Sequence, residues 1–429
     1  MKEKNNELLL DVGDTPPLGK WIILAIQHVF AMFGATVLVP ILVNSQAGAE
    51  VLTIPIALIA SGIGTICYLI CTKGKSPVYL GSSFAFIVPM AVGFGAAGKA
   101  GIFTAVMIVG IINLIVALII RFVGSKWIDK ILPPIVIGPM IMIIGLGLSS
   151  SAVMQMGLTG EAISWKPLLV IAVTFVSTVI AAVYAKGFFK IIPFLTGIVF
   201  GYICSLLVGM VDYKTVLDAT WVSIPNFVLP FIHYTPNFGA VLTIVPVALV
   251  TMSEHIGDHK ALSEIIGKDL IKDPGLSRTF MGDGVATFIA GFLGGADTTT
   301  YGENLAVVGM TKIASVKVIG LAAVFAIILS FFGKFIAVIN TIPSEVLGSI
   351  SILLYGFISV NGLKVLIKDQ TDFDNTRNVI IASSMLVLGL GGAIISFTSG
   401  NFTLTFSGMS LAAIVGIVFN LILPSKAKG

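Results

Sequence analysis

Apolar runs of about 20 residues, each closed by a polar, Gly or Pro break, recur along the chain and predict helices long enough to cross a hydrocarbon layer. The breaks delimit about fourteen segments, near 21–43, 51–72, 82–95, 101–120, 131–149, 167–185, 189–211, 238–256, 278–295, 299–311, 314–332, 341–362, 378–396 and 402–424. Two of them are short for a full span: 82–95, led in by YLGSSFAF, and 299–311, led in by ADTTTYGEN. The stretch ILPPIVIGPM at 131–140 aligns with TIPSEVLGSI at 341–350, an offset of 210 that superposes Pro133 on Pro343, Val136 on Val346 and Gly138 on Gly348. At the same offset Gly110 meets Gly320 and Phe122 meets Phe332. With about seven segments per half, equivalent segments run in opposite directions, the inverted-repeat plan of many secondary transporters. The expected fold is an all-α polytopic membrane protein in a seven-plus-seven inverted repeat. The two short segments, third in each half, are then discontinuous half-helices whose N-termini meet at a midplane binding site.

Composition supports that solvent: 56% of the 429 residues are hydrophobic and 11% charged, where a soluble domain has roughly 25% charged residues. The basic residues add an orientation. Alternate connections are unequal: one side holds only Lys99, Lys166, Lys214 and Lys334 of the 25 Lys and Arg residues. Lys and Arg accumulate in cytoplasmic loops, so both termini are expected in the cytoplasm and the protein in the cytoplasmic membrane. The net charge of +4 is explained by that orientation, and no nucleic-acid partner is expected. The first twenty residues are polar, with Asp11, Asp14, Pro16 and Pro17 and no small-residue cleavage site after the first apolar run, so a removable signal peptide is not expected. Cys67, Cys71 and Cys204 lie inside apolar runs and read as packing residues, without disulfide or metal-ligand spacing.

Acidic side chains in so apolar a chain are costly and point to function. Glu254 and Asp258 in VALVTMSEHIGDH are i and i+4, on one helical face, where two carboxylates repel and one tends to hold a proton. That arrangement suits a proton relay. The alternative for Asp258, and the simpler reading for His255 and His259, is a solvated helix end beside Lys260. Asp283 lies in the ninth segment. Glu303 opens the tenth within Tyr301-Gly302-Glu303-Asn304, so its carboxylate joins free backbone N–H groups at a helix start and can meet a planar polar solute. Phe84, after Gly81-Ser82-Ser83, brings an aromatic face to the same point from the matching half-helix.

Other classes fit poorly. A channel needs a continuous polar pore, whereas these polar residues cluster at one depth. Four histidines, one of them His233 in an outer loop, form no ligand or nucleophile set for an enzyme, and no metal or cofactor is expected. The chain has no GxxxxGK[ST] phosphate loop, so a gradient must supply the energy.

The strings QHVFAMFGATVLVP (27–40), YLGSSFAF (79–86), SEHIGDH (253–259), DPGLSR (273–278) and TTYGENLAVVGMTK (299–312) resemble the nucleobase–ascorbate transporter family, most closely its bacterial uracil permease branch, from the first span to the last. The resemblance implies a homodimer working by an elevator-like motion, with a core domain carrying the substrate and a gate domain. Mapped onto this chain, the core comprises 21–120 and 238–332 and the gate 121–237 and 333–424, with cytoplasmic tails at 1–20 and 425–429. It also implies roles: Glu254 and Glu303 as substrate-binding carboxylates, Phe84 under the base, Tyr301 and Gly302 as backbone contacts, His28 as a supporting first-helix histidine and Tyr355 as a gate tyrosine near the site. In the family signature Glu303, Asn304, Thr311 and Lys312 fit, while Ala306 replaces a Gly. Asp258 stands where one well-known uracil transporter has His, which moves the expected proton carrier to a carboxylate. The purine branch often has Gln at the position of Glu303, so Glu303 favours a pyrimidine. The expected activity is proton-coupled import of uracil. A purine such as xanthine or uric acid, or another anionic substrate, with coupling to sodium, is the alternative.

Overall fold

A backbone in hydrocarbon must satisfy its own hydrogen bonds, so the apolar runs fold as helices. The computed structural model describes residues 8–160, 162–399 and 402–424; the tail at 425–429 and the first seven residues of the other tail lie outside them. The first half contains α1 (Leu18–Ala47), α2 (Ile54–Cys71), α3 (Ile87–Val123), α4 (Pro134–Gly147), α5 (Trp165–Val183) and α6 (Pro193–Leu207). The second contains α7 (Ala248–Ile266), α8 (Leu276–Leu293), α9 (Gly302–Thr311), α10 (Val316–Leu329), α11 (Ser344–Lys368), α12 (Thr376–Leu390) and α13 (Gly408–Ile422). Among the described residues seven helices are long and apolar enough to cross a bilayer, and α6, α10, α12 and α13 are shorter apolar helices. The protein is therefore a helical integral membrane protein.

Prolines start several of these helices, where a missing N–H costs nothing. Pro133 and Pro343, superposed by the sequence repeat, precede the first residues of α4 and α11, and those two helices pack against each other. The segments read at 82–95 and 101–120 form one helical run, α3, broken at Gly98, whose φ of 62° and ψ of −168° are open to glycine and strained for other residues.

Several segments differ from their reading. The eighth does not end at 256: short turns over Val241–Val247 lead into α7, which continues to Ile266. His255, His259, Leu262 and Ile266 form a buried stripe on α7, while Gly257, Lys260, Ala261 and Glu264 are exposed. His255 and His259 are thus core residues, correcting the solvated helix end, because α2 and α8 cover that face of α7 and its charged residues fall on another. The thirteenth segment ends early. Helix α12 stops at Leu390, before Gly391 and Gly392, and β3 (Ile395–Ser399) then pairs antiparallel with β4 (Phe402–Phe406), Ile395 opposite Phe406.

A strap from the N-terminal segment lies against the ends of α7 and α9. The Leu9 amide donates to the Lys312 carbonyl at 2.8 Å, and Ala314 and Val316 donate back to Leu10 and Val12 at 2.9 and 3.0 Å. Val12 is buried among Leu262, Leu270, Leu305 and Val308. Lys268 Nζ reaches Asp11 at 2.6 Å, and its hydrogen bond holds the Asp11 carboxyl below the usual carboxylate range. Both side chains are about half exposed, so solvent screening leaves this pair little weight beside the burial of Val12.

Candidate functional site

The site begins where the chain leaves helical geometry. β1 (Leu80–Ser82) and β2 (Thr298–Thr300) pair antiparallel with Leu80 opposite Thr300, Gly81 opposite Thr299 and Ser82 opposite Thr298. The crossing is extended by the Ser83 amide donating to the Asp297 carbonyl at 2.9 Å and the Tyr301 amide donating to the Tyr79 carbonyl at 3.0 Å. The Tyr301 hydroxyl spans it, donating to the Ser82 carbonyl at 3.1 Å and accepting from Thr36 Oγ1 at 3.1 Å. Only glycine fits at position 81, since a Cβ there would stand 2.3 Å from the Tyr301 ring.

Each strand feeds a helix start at the crossing. On one side the Ser83 hydroxyl accepts from the Ala85 amide at 3.3 Å and caps a tight turn, Phe84–Phe86, that runs on into α3. On the other Tyr301 precedes α9 in extended geometry, and Glu303 lies in the first turn of that helix. These polar strands can be buried because each pairs with the other and the helix starts that follow present free N–H groups to a cavity.

Helix α7 completes the polar wall with Glu254 and Asp258, one turn apart. Thr300 Oγ1 donates to Asp258 Oδ2 at 2.5 Å and so ties α7 to β2. The cavity between them measures about 420 Å³. Ser82, Phe84, Glu254, Asp258, Thr299, Thr300, Tyr301, Gly302, Glu303 and Ala306 line one side of it; Ile141 and Ile144 of α4, Phe194 of α6, and Leu354, Phe357, Ile358 and Asn361 of α11 line the other. Phe194 and Phe357 meet edge to face with centroids 5.8 Å apart. One wall is therefore polar and acidic and the opposite wall almost wholly apolar.

Three carboxylates face this space, and no Lys, Arg or His is among its lining residues. Like charges in a poorly hydrated volume repel, and what offsets the repulsion is a proton or the N–H donors of a solute. An anion gains nothing here from a counter-charge.

The residues singled out from the sequence divide in two. Phe84, Glu254, Asp258, Tyr301, Gly302 and Glu303 come together around the cavity, although the Tyr301 side chain is spent on the crossing. Asn304 and His28 stand behind it: Asn304 Nδ2 donates to the His28 carbonyl and to His28 Nδ1, each at 3.1 Å, and holds α9 to α1. Tyr355 is not among the lining residues. Its neighbour Leu354 is, and the roughly 100° step between successive helical residues turns Tyr355 into the packed core, where it is 2% exposed. Asp283 also lies outside, buried in α8, where Asn113 Nδ2 donates to its Oδ2 at 3.4 Å.

Thr300, Phe194, Phe357 and Asn361 were not picked out from the sequence. A lone amide in the apolar α11 is a signal that could have flagged Asn361. Thr300 lies inside the quoted lead-in ADTTTYGEN without being singled out there, and nothing local marks Phe194 or Phe357, which reach the cavity through partners far away in the chain.

The fold is that of a helical membrane protein with a polar cavity at the crossing of β1 and β2. The chain belongs to the nucleobase–ascorbate transporter family, and matches the Permease family over residues 19–396. It is 47% identical over 426 residues to the uracil permease of Bacillus subtilis (strain 168), covering 98% of this chain and 96% of that protein. The uracil permease of Bacillus caldolyticus is 46% identical over 426 residues, with 99% and 96% covered. In fold the chain is similar to the murine solute carrier 26 family member A9 anion transporter in the inward-facing state, with a TM-score of 0.69 at 13% identity over 96% of this chain and 69% of that one.

Proposed function

We propose that this protein imports uracil across the cytoplasmic membrane in symport with protons, both termini being cytoplasmic. The observation that carries the reading is the cavity with three carboxylates, the Phe84 ring on the same wall and no cation among its lining residues. Uracil is neutral, planar and small, and it offers ring N–H donors to Glu254 and Glu303 while its face rests on Phe84. The Gly302 amide, in the first turn of α9, meets one of its carbonyls, while the Tyr301 amide stays bonded to the Tyr79 carbonyl. The relatives named as uracil permeases support the same substrate. An anionic purine would meet uncompensated carboxylates, so xanthine and uric acid fit this wall less well.

The unequal walls support the motion. The polar wall comes from β1, β2, α7 and α9, all within 21–120 and 238–332, and the apolar wall from α4, α6 and α11, within 121–237 and 333–424. In this reading the first pair of segments is the core that carries the substrate and the second the gate, related by a seven-plus-seven inverted repeat and assembled as a homodimer. The core slides along this largely apolar surface. Protons load the Glu254 and Asp258 pair, relieve its repulsion and travel with the base.

Uptake of radiolabelled uracil and xanthine into proteoliposomes, with and without a protonophore and with and without sodium, tests this. Uracil should accumulate only with an inward proton gradient, indifferent to sodium; undiminished accumulation with the protonophore, or preference for xanthine, would overturn it. Asp258→Asn separates binding from coupling. Counterflow should stay near the wild-type rate while net accumulation falls several-fold, and equal loss of both would move Asp258 into the binding set.

A further inference from the structure

Beside the face of α7 that carries Glu254 and Asp258, a second polar group is buried without touching the cavity. Tyr68, Ser76, His255 and His259 are each 0% exposed. His259 Nδ1 lies 2.6 Å from the His255 carbonyl. A carbonyl can only accept, so Nδ1 carries the hydrogen, and Nε2 of the neutral ring is left as an acceptor. The Tyr68 hydroxyl, 2.5 Å from Nε2, must then donate to it. Ser76 Oγ, 2.9 Å from that hydroxyl, is free to donate to Tyr68. Every donor in the chain thus has one direction, from Ser76 through Tyr68 to His259 and on to a backbone carbonyl. A carbonyl passes no proton onward, so this chain is a clamp and not a proton wire.

What it clamps follows from its ends. Tyr68 belongs to α2, Ser76 to the segment leading four residues later into β1, and His259 to α7. His255 fixes the turn above by stacking between His259 at 4.2 Å and Phe280 of α8 at 4.5 Å, and its Nδ1 stands 3.6 Å from Asp283 Oδ2. The charged groups around the two rings are Asp283 on α8 and Asp258 on α7 itself. Rotation of α7 about its axis would break the Tyr68 bond and leave a buried imidazole acceptor unsatisfied.

We propose that Tyr68 and His259 are positioning residues that set the rotation of α7, and through it the reach of Glu254 and Asp258 toward Phe84 and Glu303. The inference rests on the transport reading for its kinetic consequence and on geometry alone for its structural one. Tyr68→Phe removes the hydroxyl and keeps the ring. In reconstituted full-length protein it should raise the half-saturation concentration for uracil about fivefold or more, with the maximal rate changed less than about twofold. Without substrate, amide hydrogen exchange over residues 254–259 should quicken. Ser76→Ala keeps the Tyr68 to His259 bond and should move both readouts in the same direction by less; it carries the test should Tyr68→Phe fail to fold. An unchanged half-saturation concentration, with or without a lower melting temperature, or unchanged exchange over 254–259, would overturn the proposal. Wild-type protein that takes up no uracil would sink the transport reading, and the exchange measurement would still decide the clamp.

Discussion

Glu303→Gln is expected to weaken uracil binding at least tenfold, and by as much as about a hundredfold, while the protein stays folded. Glu303 sits in the first turn of α9 at the cavity wall, so its side chain holds together no other element. The amide keeps the shape and loses the charge. A hydrogen bond to a charged acceptor contributes about 1.5–3 kcal/mol, and each 1.4 kcal/mol is a tenfold change in affinity. Calorimetric titration of purified wild type and variant, alongside their melting temperatures, checks this. Wild-type affinity in Glu303→Gln would remove the carboxylate from the site.

The other large effect belongs to a residue with no chemistry of its own. Gly81→Ala is expected to abolish uptake and lower the melting temperature, because the new Cβ would stand 2.3 Å from Tyr301 Cζ and 2.4 Å from Cε2. The ring cannot swing aside without giving up its bonds to Ser82 and Thr36, and those bonds close the crossing of β1 and β2. Overpacking of this kind costs about 1–3 kcal/mol, and here the strain falls on the strands that aim both half-helices. Gly95→Ala is the matched control: its Cβ would meet nothing within 4 Å, and uptake should be near wild type. Active Gly81→Ala with an unchanged melting temperature would show that the crossing is more yielding than its geometry implies.

The contrast between these two positions shows what local sequence carries. Glu303 was legible because a carboxylate at the start of a short segment in an apolar chain has few explanations other than function. Gly81 was visible only as part of a glycine and serine lead-in, since the reason for a missing side chain is the Tyr301 ring, 220 positions away. The same holds for Asp258. Its spacing from Glu254 suggested a relay, yet only the Thr300 bond shows it turned to the cavity wall instead of to solvent.

His255 and His259 mark the boundary most clearly. Read locally, histidines beside Lys260 at the end of an apolar run belong in water, and that reading failed because α2 and α8 bury them. By itself the sequence determined the solvent of the protein, where most of its helices run, the two short segments with polar lead-ins and the acidic residues near them. Those depend on runs and spacings of a few residues, where hydrophobic length and helical period act directly. The tertiary structure alone decided how far α7 extends, which face of it meets the cavity, that Tyr355 turns into the core, and that an apolar wall from α4, α6 and α11 stands opposite the acids. Each of those is set by packing between segments tens to hundreds of residues apart, and no local pattern encodes which faces will meet.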